Sequence, residues 1–210
     1  DEKEVLLREI HHRVKNNLQI VSSMLSLEAG RSATTRKDAT TVLRETQARV
    51  QAMALVHEVL YGVGSLAHVD LGEYLPRLFD HVKDIFMGHS GIRYEVRCAP
   101  VEVTIDRAVP IALLVNEAVT NALKHAFPSG RRGTISLQLT SHDDHTRLTV
   151  SDDGVGLPAG ASLEDDSIGM TLIRGLTSQL QATTHLEGGG GTTLIVDIPR
   201  SVIAGSRSRS

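Results

Sequence analysis

The middle of the chain contains an unbroken helix-forming stretch, Ile111-Ala-Leu-Leu-Val-Asn-Glu-Ala-Val-Thr-Asn-Ala-Leu-Lys-His125. Its apolar residues recur in steps of three and four: Ile111, Leu114, Val115, Ala118 and Ala122. This spacing predicts a helix from about residue 106 to about residue 127 with one buried stripe. Beside the stripe, Glu117, Asn121 and Lys124 fall within about 60° of one another. Glu and Asn oxygens suit Mg²⁺ and a Lys suits phosphate, so this edge is a candidate site for a metal-bound triphosphate.

Segments in which apolar and polar residues alternate occur before and after this helix in the sequence. Residues 92–98 alternate ahead of it, and residues 135–139 and 148–150 alternate after it, separated by a turn at His142-Asp-Asp-His145. Two more helices, at about residues 71–86 and 168–180, and a last strand at about residues 192–198 complete the pattern. Helices and mostly antiparallel strands in this order predict an α+β fold, a two-layer sandwich with the helices on one face of the sheet.

One carboxylate is predicted to point into this sandwich. Leu148, Val150 and Asp152 share strand parity, so the face that buries the first two side chains also carries the third. An inward carboxylate needs a hydrogen-bond donor, and the exocyclic amine of adenine is one that fits. Gly154 and Gly156 would then let the backbone approach a ligand closely. The alternative is that Asp152 caps a turn and the glycines only bend the chain.

The N-terminal third of the chain has a different hydrophobic pattern from the part that predicts the sandwich. Residues 4–29 and 43–61 each carry an apolar stripe with helical spacing, and a polar break at residues 30–35 separates them. Together they predict a helical hairpin. Because two helices bury too little surface to be stable alone, we expect two chains to form a four-helix bundle.

A histidine lies on the solvent face predicted for the first helix. With Ile10 at zero degrees on the helical wheel, the apolar stripe centres at about 40° and His12 falls at about 200°. Glu9 and Asn16 lie on the same exposed face, one turn before and one turn after His12. An ordinary solvated helix surface is the alternative, but the density of polar groups around the imidazole favours a functional patch.

Composition excludes several classes of protein. The 210 residues are 40% apolar and carry 22 Lys and Arg against 25 Asp and Glu, a formal net charge of −3, so nucleic acid is not expected as a main partner. The single cysteine, Cys98, cannot form an internal disulfide, and no apolar run reaches the roughly 20 residues that cross a bilayer. We therefore expect a cytoplasmic protein without a membrane segment. Because the chain begins with Asp1 and has no signal segment, we expect it to be a fragment of a longer protein.

Three motifs occur in the order found in a known ATP-binding fold. Residues 117–125 resemble the N box, Asp152-Asp-Gly-Val-Gly156 resembles the G1 box, and Ser167-Ile-Gly-Met-Thr-Leu172 resembles the G2 box. Sensor histidine kinases share these boxes, on a Bergerat-type α/β sandwich, with gyrase B, the ninety-kilodalton heat-shock chaperones and MutL. The hairpin resembles the dimerisation and phosphoacceptor domain of histidine kinases whose box reads His-Arg-Val-Lys-Asn, a group related to the HWE kinases. The resemblances cover nearly the whole chain.

The resemblance implies a role for each residue that matches a motif. His12 is the implied phosphoacceptor, and Asn16 matches the place of a residue that positions water for dephosphorylation. Since Arg13 follows His12 where other kinases have an acid, we assign Glu9 to orient or deprotonate the imidazole. Glu117 and Asn121 are implied to order Mg²⁺ and a water molecule. The residues implied to contact ATP are Asn121, Lys124, His125, Asp152, Gly154, Gly156, Gly169, Met170 and Thr192.

Two departures from the commoner kinases stand out in the sequence. The HWE kinases place a His before the N-box Glu and a Trp beyond it, whereas this chain has Asn116 and no Trp. The segment from Leu157 to Ser167, which matches the lid over the nucleotide, is short and lacks the Phe-containing F box. The chain is thus expected to belong to a sister group of the HWE kinases.

The function implied is autophosphorylation of a histidine by Mg²⁺-ATP and transfer of the phosphoryl group to an aspartate of a response-regulator receiver. We expect a phosphoacceptor hairpin at residues 1–66 that forms a homodimer, an ATP-binding domain at residues 67–200 and a disordered tail at residues 201–210. Two alternatives are an ATP-binding scaffold without phosphotransfer and a serine kinase of the anti-sigma type. The hairpin with His12 argues against the second, since anti-sigma kinases do not need one.

Overall fold

The computed structural model describes residues 68–85, 91–157, 162–165 and 167–203. The predicted hairpin, with Glu9, His12 and Asn16, lies outside the described residues. In chain order the elements are β1 (His68–Asp70), α1 (Leu71–Ile85), β2 (Ile92–Cys98), β3 (Glu102–Thr104), α2 (Ile105–His125), a short 3₁₀ helix (Pro128–Gly130), β4 (Gly133–Ser141), β5 (His145–Asp152), α3 (Ile168–Gln179), β6 (Thr183–Gly188), β7 (Thr192–Pro199) and α4 (Arg200–Ile203).

Five strands form a mixed sheet in the order β2-β4-β5-β7-β6. The pair β2 and β4 is parallel, with α2 in the connection between them, and the other three pairs are antiparallel. The turn between β4 and β5 is the predicted one, closed by a 2.8 Å hydrogen bond from the His142 amide to the His145 carbonyl oxygen. The short strands β1 and β3 pair separately. The predicted α+β sandwich with a mostly antiparallel sheet is confirmed.

The core lies between the inner face of the sheet and the helices. Alternate residues of the three central strands are buried: Ile135, Leu137, Leu139, Leu148, Val150, Leu194, Val196 and Ile198. Each such side chain stabilises the fold by about 1.5 to 3 kcal/mol through its removal from water. Helix α2 contacts α1, α3 and β5, and it is therefore the central helix of the layer.

The structure corrects the sequence-based description of α2. A single buried stripe with Glu117 at its edge was expected, but the helix is covered on most of its circumference, and the Glu117 side chain is only 4% exposed. The reason is that α2 has neighbours on several sides, so residues beside the stripe are buried as well. Glu117 is therefore a buried carboxylate.

The structure also contains elements that the periodicity did not predict. Strand β6 forms one edge of the sheet, and its residues are exposed or half-buried, so it lacks a clear apolar alternation. Residues 201–203, assigned to the disordered tail, are instead part of α4, where Val202 and Ile203 are buried. No helix among the described residues is both long enough and apolar enough to cross a lipid bilayer.

Candidate functional site

Asp152 lies at the end of β5, directly opposite Thr192 at the start of β7. Its Oδ1 accepts hydrogen bonds from the Gly154 amide at 2.9 Å and from the Thr192 amide at 3.2 Å. Burial raises the pKa of Asp152 above its usual value, and the hydrogen bonds from Gly154 and Thr192 oppose this rise. The carboxyl group is thus held in one orientation at a half-buried position.

Asp152 therefore does cap a turn, as the structural alternative predicted. That role does not exclude a ligand, because a carboxylate has two oxygens and about four acceptor positions. The hydrogen bonds from the Gly154 and Thr192 amides fix the plane of the Asp152 carboxyl group. Its remaining acceptor positions therefore point in a defined direction, where a ligand donor can bind.

The glycines after Asp152 allow three chain segments to meet. A Cβ on Gly154 would lie 2.3 Å from the Ala126 carbonyl oxygen, and the next amide, of Val155, donates to that same oxygen at 2.9 Å. A Cβ on Gly191, whose φ is +127°, would lie 1.8 Å from the Asp152 carbonyl oxygen. Gly154 was expected to leave room for a ligand, but the space beside it is occupied by the end of α2.

Replacing Gly154 by Ala is expected to destabilise the domain by at least about 1 to 3 kcal/mol, because the new methyl group would overlap Ala126. The free energy of unfolding in urea measures this loss. Gly190→Ala is the matched control, since a Cβ there would meet nothing within 4 Å, and its stability should stay within about 0.5 kcal/mol of the parent chain. Equal stability of the two variants would contradict the packing role of Gly154.

The candidate metal ligands of α2 meet the first turn of α3. A Cβ on Gly169 would lie 2.9 Å from the Glu117 Oε1, 3.2 Å from the Asn121 Nδ2 and 3.7 Å from the Asn121 Oδ1. A side chain at position 169 would require the ends of the Glu117 and Asn121 side chains to shift, whereas glycine leaves both in place. The structure therefore brings Glu117, Asn121 and Gly169 together, as the motif resemblance implied.

Helix α3 starts with a side-chain cap. The Ser167 Oγ accepts a hydrogen bond from the Met170 amide at 3.2 Å, which satisfies one of the amides that a helix N-terminus leaves without an intrahelical partner. The positive end of the helix dipole lies beside the Glu117 carboxylate, a position that favours negative charge. The same end of a helix commonly binds phosphate groups.

The chemistry of this donor set fits Mg²⁺. A carboxylate oxygen and an amide oxygen lie within 4 Å of a common point beside Gly169, and Mg²⁺ is usually held by one or two such ligands together with substrate phosphates. Lys124 lies about one turn beyond Asn121 on the same helix face and is half-buried, whereas the neighbouring His125 is exposed. Among the described residues, no group of three or more His, Cys, Asp or Glu side chains forms a separate metal site.

The two halves of the site are connected by α2. The turn after Asp152 contacts Ala126, the C-cap of α2, and the cluster around Gly169 contacts Glu117, nine residues earlier in α2. At 1.5 Å per residue, these points are about 13 Å apart along the helix axis. The turn after Asp152 and the Gly169 cluster therefore contact different turns of one helix.

Comparison with known proteins identifies the family to which the chain belongs. Residues 9–86 match the family described as histidine kinase, and residues 91–198 match the histidine kinase-like ATPase domain. The chain belongs to the histidine kinase family. The predicted resemblance is confirmed for both parts of the chain.

The relatives of this histidine kinase chain include sensor kinases. The sensor histidine kinase PdtaS of Mycobacterium tuberculosis is 34% identical over 203 residues, which cover 94% of this chain and 40% of PdtaS. The kinase domain of a blue-light activated histidine kinase from Erythrobacter litoralis is 28% identical, with a TM-score of 0.76 and 98% of each chain covered. The anti-sigma F factor of Bacillus licheniformis is 37% identical over 60 residues, which cover only 29% of this chain.

Residues in and around the candidate site include some that the sequence analysis did not identify. The Asp153 Oδ1 accepts a 2.6 Å hydrogen bond from the Thr134 amide, which ties the end of β5 to β4. Ser167 carries a signal that does predict its capping role, since a serine stands immediately before an apolar helix. Arg174, in the middle of α3, has no such signal, because its partners are backbone carbonyl groups of the preceding loop.

Proposed function

We propose that the chain is the catalytic core of an ATP-dependent protein histidine kinase. Two preorganised groups near α2 support this most strongly. One is the Asp152 carboxyl group, which backbone amides orient, and the other is the cluster of Glu117, Asn121 and Gly169. The first suits an adenine amine, and the second suits a metal-bound phosphate chain.

In this proposal each residue of the ATP-binding domain has one task. Asp152 accepts a hydrogen bond from the exocyclic amine of adenine, and Thr192 helps to orient the carboxyl group. The N-terminal turn of α3, including Gly169 and Met170, faces the phosphates. Glu117 and Asn121 would hold Mg²⁺, which supplies positive charge to the phosphate oxygens. Lys124 and His125 add positive charge or hydrogen bonds at the same end.

The phosphoacceptor in the proposal is His12, in the part of the chain outside the described residues. A neutral imidazole nitrogen of His12 attacks the γ-phosphorus in line, the bond from phosphorus to the bridging oxygen breaks, and ADP leaves. Glu9, one turn earlier on the predicted helix, orients the ring or takes its proton. The product is a phosphohistidine.

The partners follow from that product. An aspartate of a response-regulator receiver would take the phosphoryl group, and Asn16 would position water for its later hydrolysis. The predicted hairpin would form the homodimer. PdtaS is named as a sensor histidine kinase and the Erythrobacter litoralis protein as a blue-light activated histidine kinase, and the chain spans 40% of the length of PdtaS. The short match to an anti-sigma factor makes the serine kinase the second candidate.

Incubation with ATP labelled at the γ-phosphate and Mg²⁺ is expected to label the protein with an acid-labile, alkali-stable group. The reason is that the proposed nucleophile is an imidazole nitrogen, which forms a phosphoramidate and not an ester. The measurement is the label that remains on the protein after acid and after alkali.

Removal of the divalent cation with a chelator provides the control and is expected to prevent labelling. Acid-stable label would indicate a phosphorylated hydroxyl group and favour the serine kinase. ATP binding without any label would favour the scaffold without phosphotransfer.

A further inference from the structure

Arg174 connects α3 to the loop that precedes it. Its Nη1 donates hydrogen bonds to the carbonyl oxygens of Leu163 and Asp165, the second at 3.0 Å. Its Nη2 donates to the Thr171 Oγ1 at 3.2 Å, one turn earlier on the helix. The arginine side chain, which is half-buried, therefore links two backbone groups of the loop to the body of α3.

The loop segment that Arg174 holds is a turn with its own hydrogen bonds. The Asp165 amide donates to the Ser162 carbonyl oxygen at 3.2 Å, and the Ser162 amide donates to the Asp165 Oδ2 at 3.2 Å. The Glu164 amide donates to the Ser162 Oγ at 3.1 Å, and Leu163 packs partly against the core. Among the described residues, the Arg174 side chain provides the hydrogen bonds that attach this turn to α3.

The turn at residues 162–165 lies immediately before the N-terminus of α3, so Arg174 acts close to the candidate site. Two residues after the turn, Ser167 caps α3, and Gly169 meets Glu117 and Asn121. Any displacement of the turn would change how the chain approaches the α3 N-terminus. A guanidinium group suits this position because its planar fork presents several donors at fixed angles, whereas a lysine ammonium offers donors from one point.

We propose that Arg174 is a positioning residue for the phosphate end of the nucleotide site. By holding the turn at residues 162–165 against α3, it sets the geometry of the first turn of the helix, without itself needing to contact the nucleotide. This inference rests on the proposed function, since it assigns the α3 N-terminus to the phosphates. It predicts an effect on phosphate recognition and none on base recognition.

The chain contains a matched control for Arg174. Arg107 donates from its Nη1 to the Gln179 carbonyl oxygen at 3.3 Å, so it makes the same type of bond at the opposite end of α3. Arg107→Gln removes one guanidinium and one bond to α3, but it leaves the phosphate end of the helix intact. A general loss of helix anchoring would therefore affect both arginine variants.

The test compares ADP with adenosine, which lacks phosphate, by calorimetric titration of the full chain in the presence of Mg²⁺. Arg174→Gln is expected to weaken ADP binding about tenfold, since the turn at residues 162–165 would no longer hold the first turn of α3 in place for the phosphates, and to leave adenosine binding unchanged. Arg174→Lys should restore part of the ADP affinity. Arg107→Gln should bind both ligands like the parent chain.

Limited proteolysis supplies a readout that does not depend on the nucleotide. Cleavage at residues 162–165 should be faster in Arg174→Gln than in the parent chain or Arg107→Gln. An unchanged cleavage rate, an unchanged ADP affinity, or an equal loss of affinity for ADP and adenosine would each overturn the role of Arg174. A parent chain that binds neither ligand would instead overturn the proposed function, and the proteolysis result would still report whether Arg174 holds the turn.

Discussion

Asp152→Asn is expected to lower the affinity for ADP and for adenosine by at least about a hundredfold, or about 2.7 kcal/mol. The amides of Gly154 and Thr192 already direct two hydrogen bonds at the Asp152 Oδ1. An asparagine oxygen would keep those bonds, which turns the amide NH₂ towards the ligand. The donor of adenine would then face a donor instead of an acceptor.

The same variant is expected to retain or increase the stability of the ligand-free domain. Burial raises the pKa of Asp152, so the folded state binds this proton more tightly than the unfolded chain does. Ionisation of Asp152 therefore reduces stability as the pH rises through its folded pKa, and the neutral Asn avoids that loss. The stability difference in favour of Asp152→Asn should be present at neutral pH, shrink as the pH falls through the raised folded pKa of Asp152, and vanish below the unfolded pKa of an aspartate, about 3.9.

Calorimetric titration and urea unfolding together check this prediction. Loss of binding combined with unchanged or higher stability separates recognition of the base from damage to the fold. If a folded Asp152→Asn chain binds adenosine with undiminished affinity, the assignment of Asp152 to the exocyclic amine of adenine is wrong.

His12→Gln is expected to eliminate autophosphorylation while leaving ADP affinity intact. On the predicted first helix, His12 falls on the solvent face with Glu9 and Asn16, about 160° from the centre of the apolar stripe. The adjacent His11 falls about 100° from His12, at the edge of the stripe, where packing or a hydrogen bond within the bundle is the expected role.

The control for this prediction is His11→Gln, which should retain the label from ATP. Peptide mapping of the labelled chain identifies the modified histidine directly. Label on His11 would show that the solvent-face assignment is wrong and that the helix is rotated or kinked relative to a regular one.

The parts of the fold that could be predicted are those with a strong local pattern. The alternation in β4 and β5 and the long run of α2 follow from which side chains face the core. The structure has β4 and α2 within about two residues of the expected limits, and β5 begins three residues before the expected alternation. The parity argument also placed Asp152 correctly, because the side-chain period of a strand is fixed at two.

The features that escaped prediction depend on contacts between distant segments. Nothing near Gly154 in the sequence indicates that Ala126 will occupy the space beside it. The burial of Glu117 depends on α3, whose first turn comes from residues about fifty positions later. Strand β6 is recognisable only through its pairing with β7, since an edge strand has little apolar alternation of its own.

The convergence of distant segments at Asp152 has a consequence for how the domain folds. Thr192 is 40 positions from Asp152, and the contacts of Ala126 and Gly169 are similarly non-local. Closing loops of this length costs chain entropy before the contacts form, so such regions assemble late along a folding pathway. Under the proposed function, nucleotide affinity would therefore arise only after β5 and β7 have paired and α3 has packed against α2.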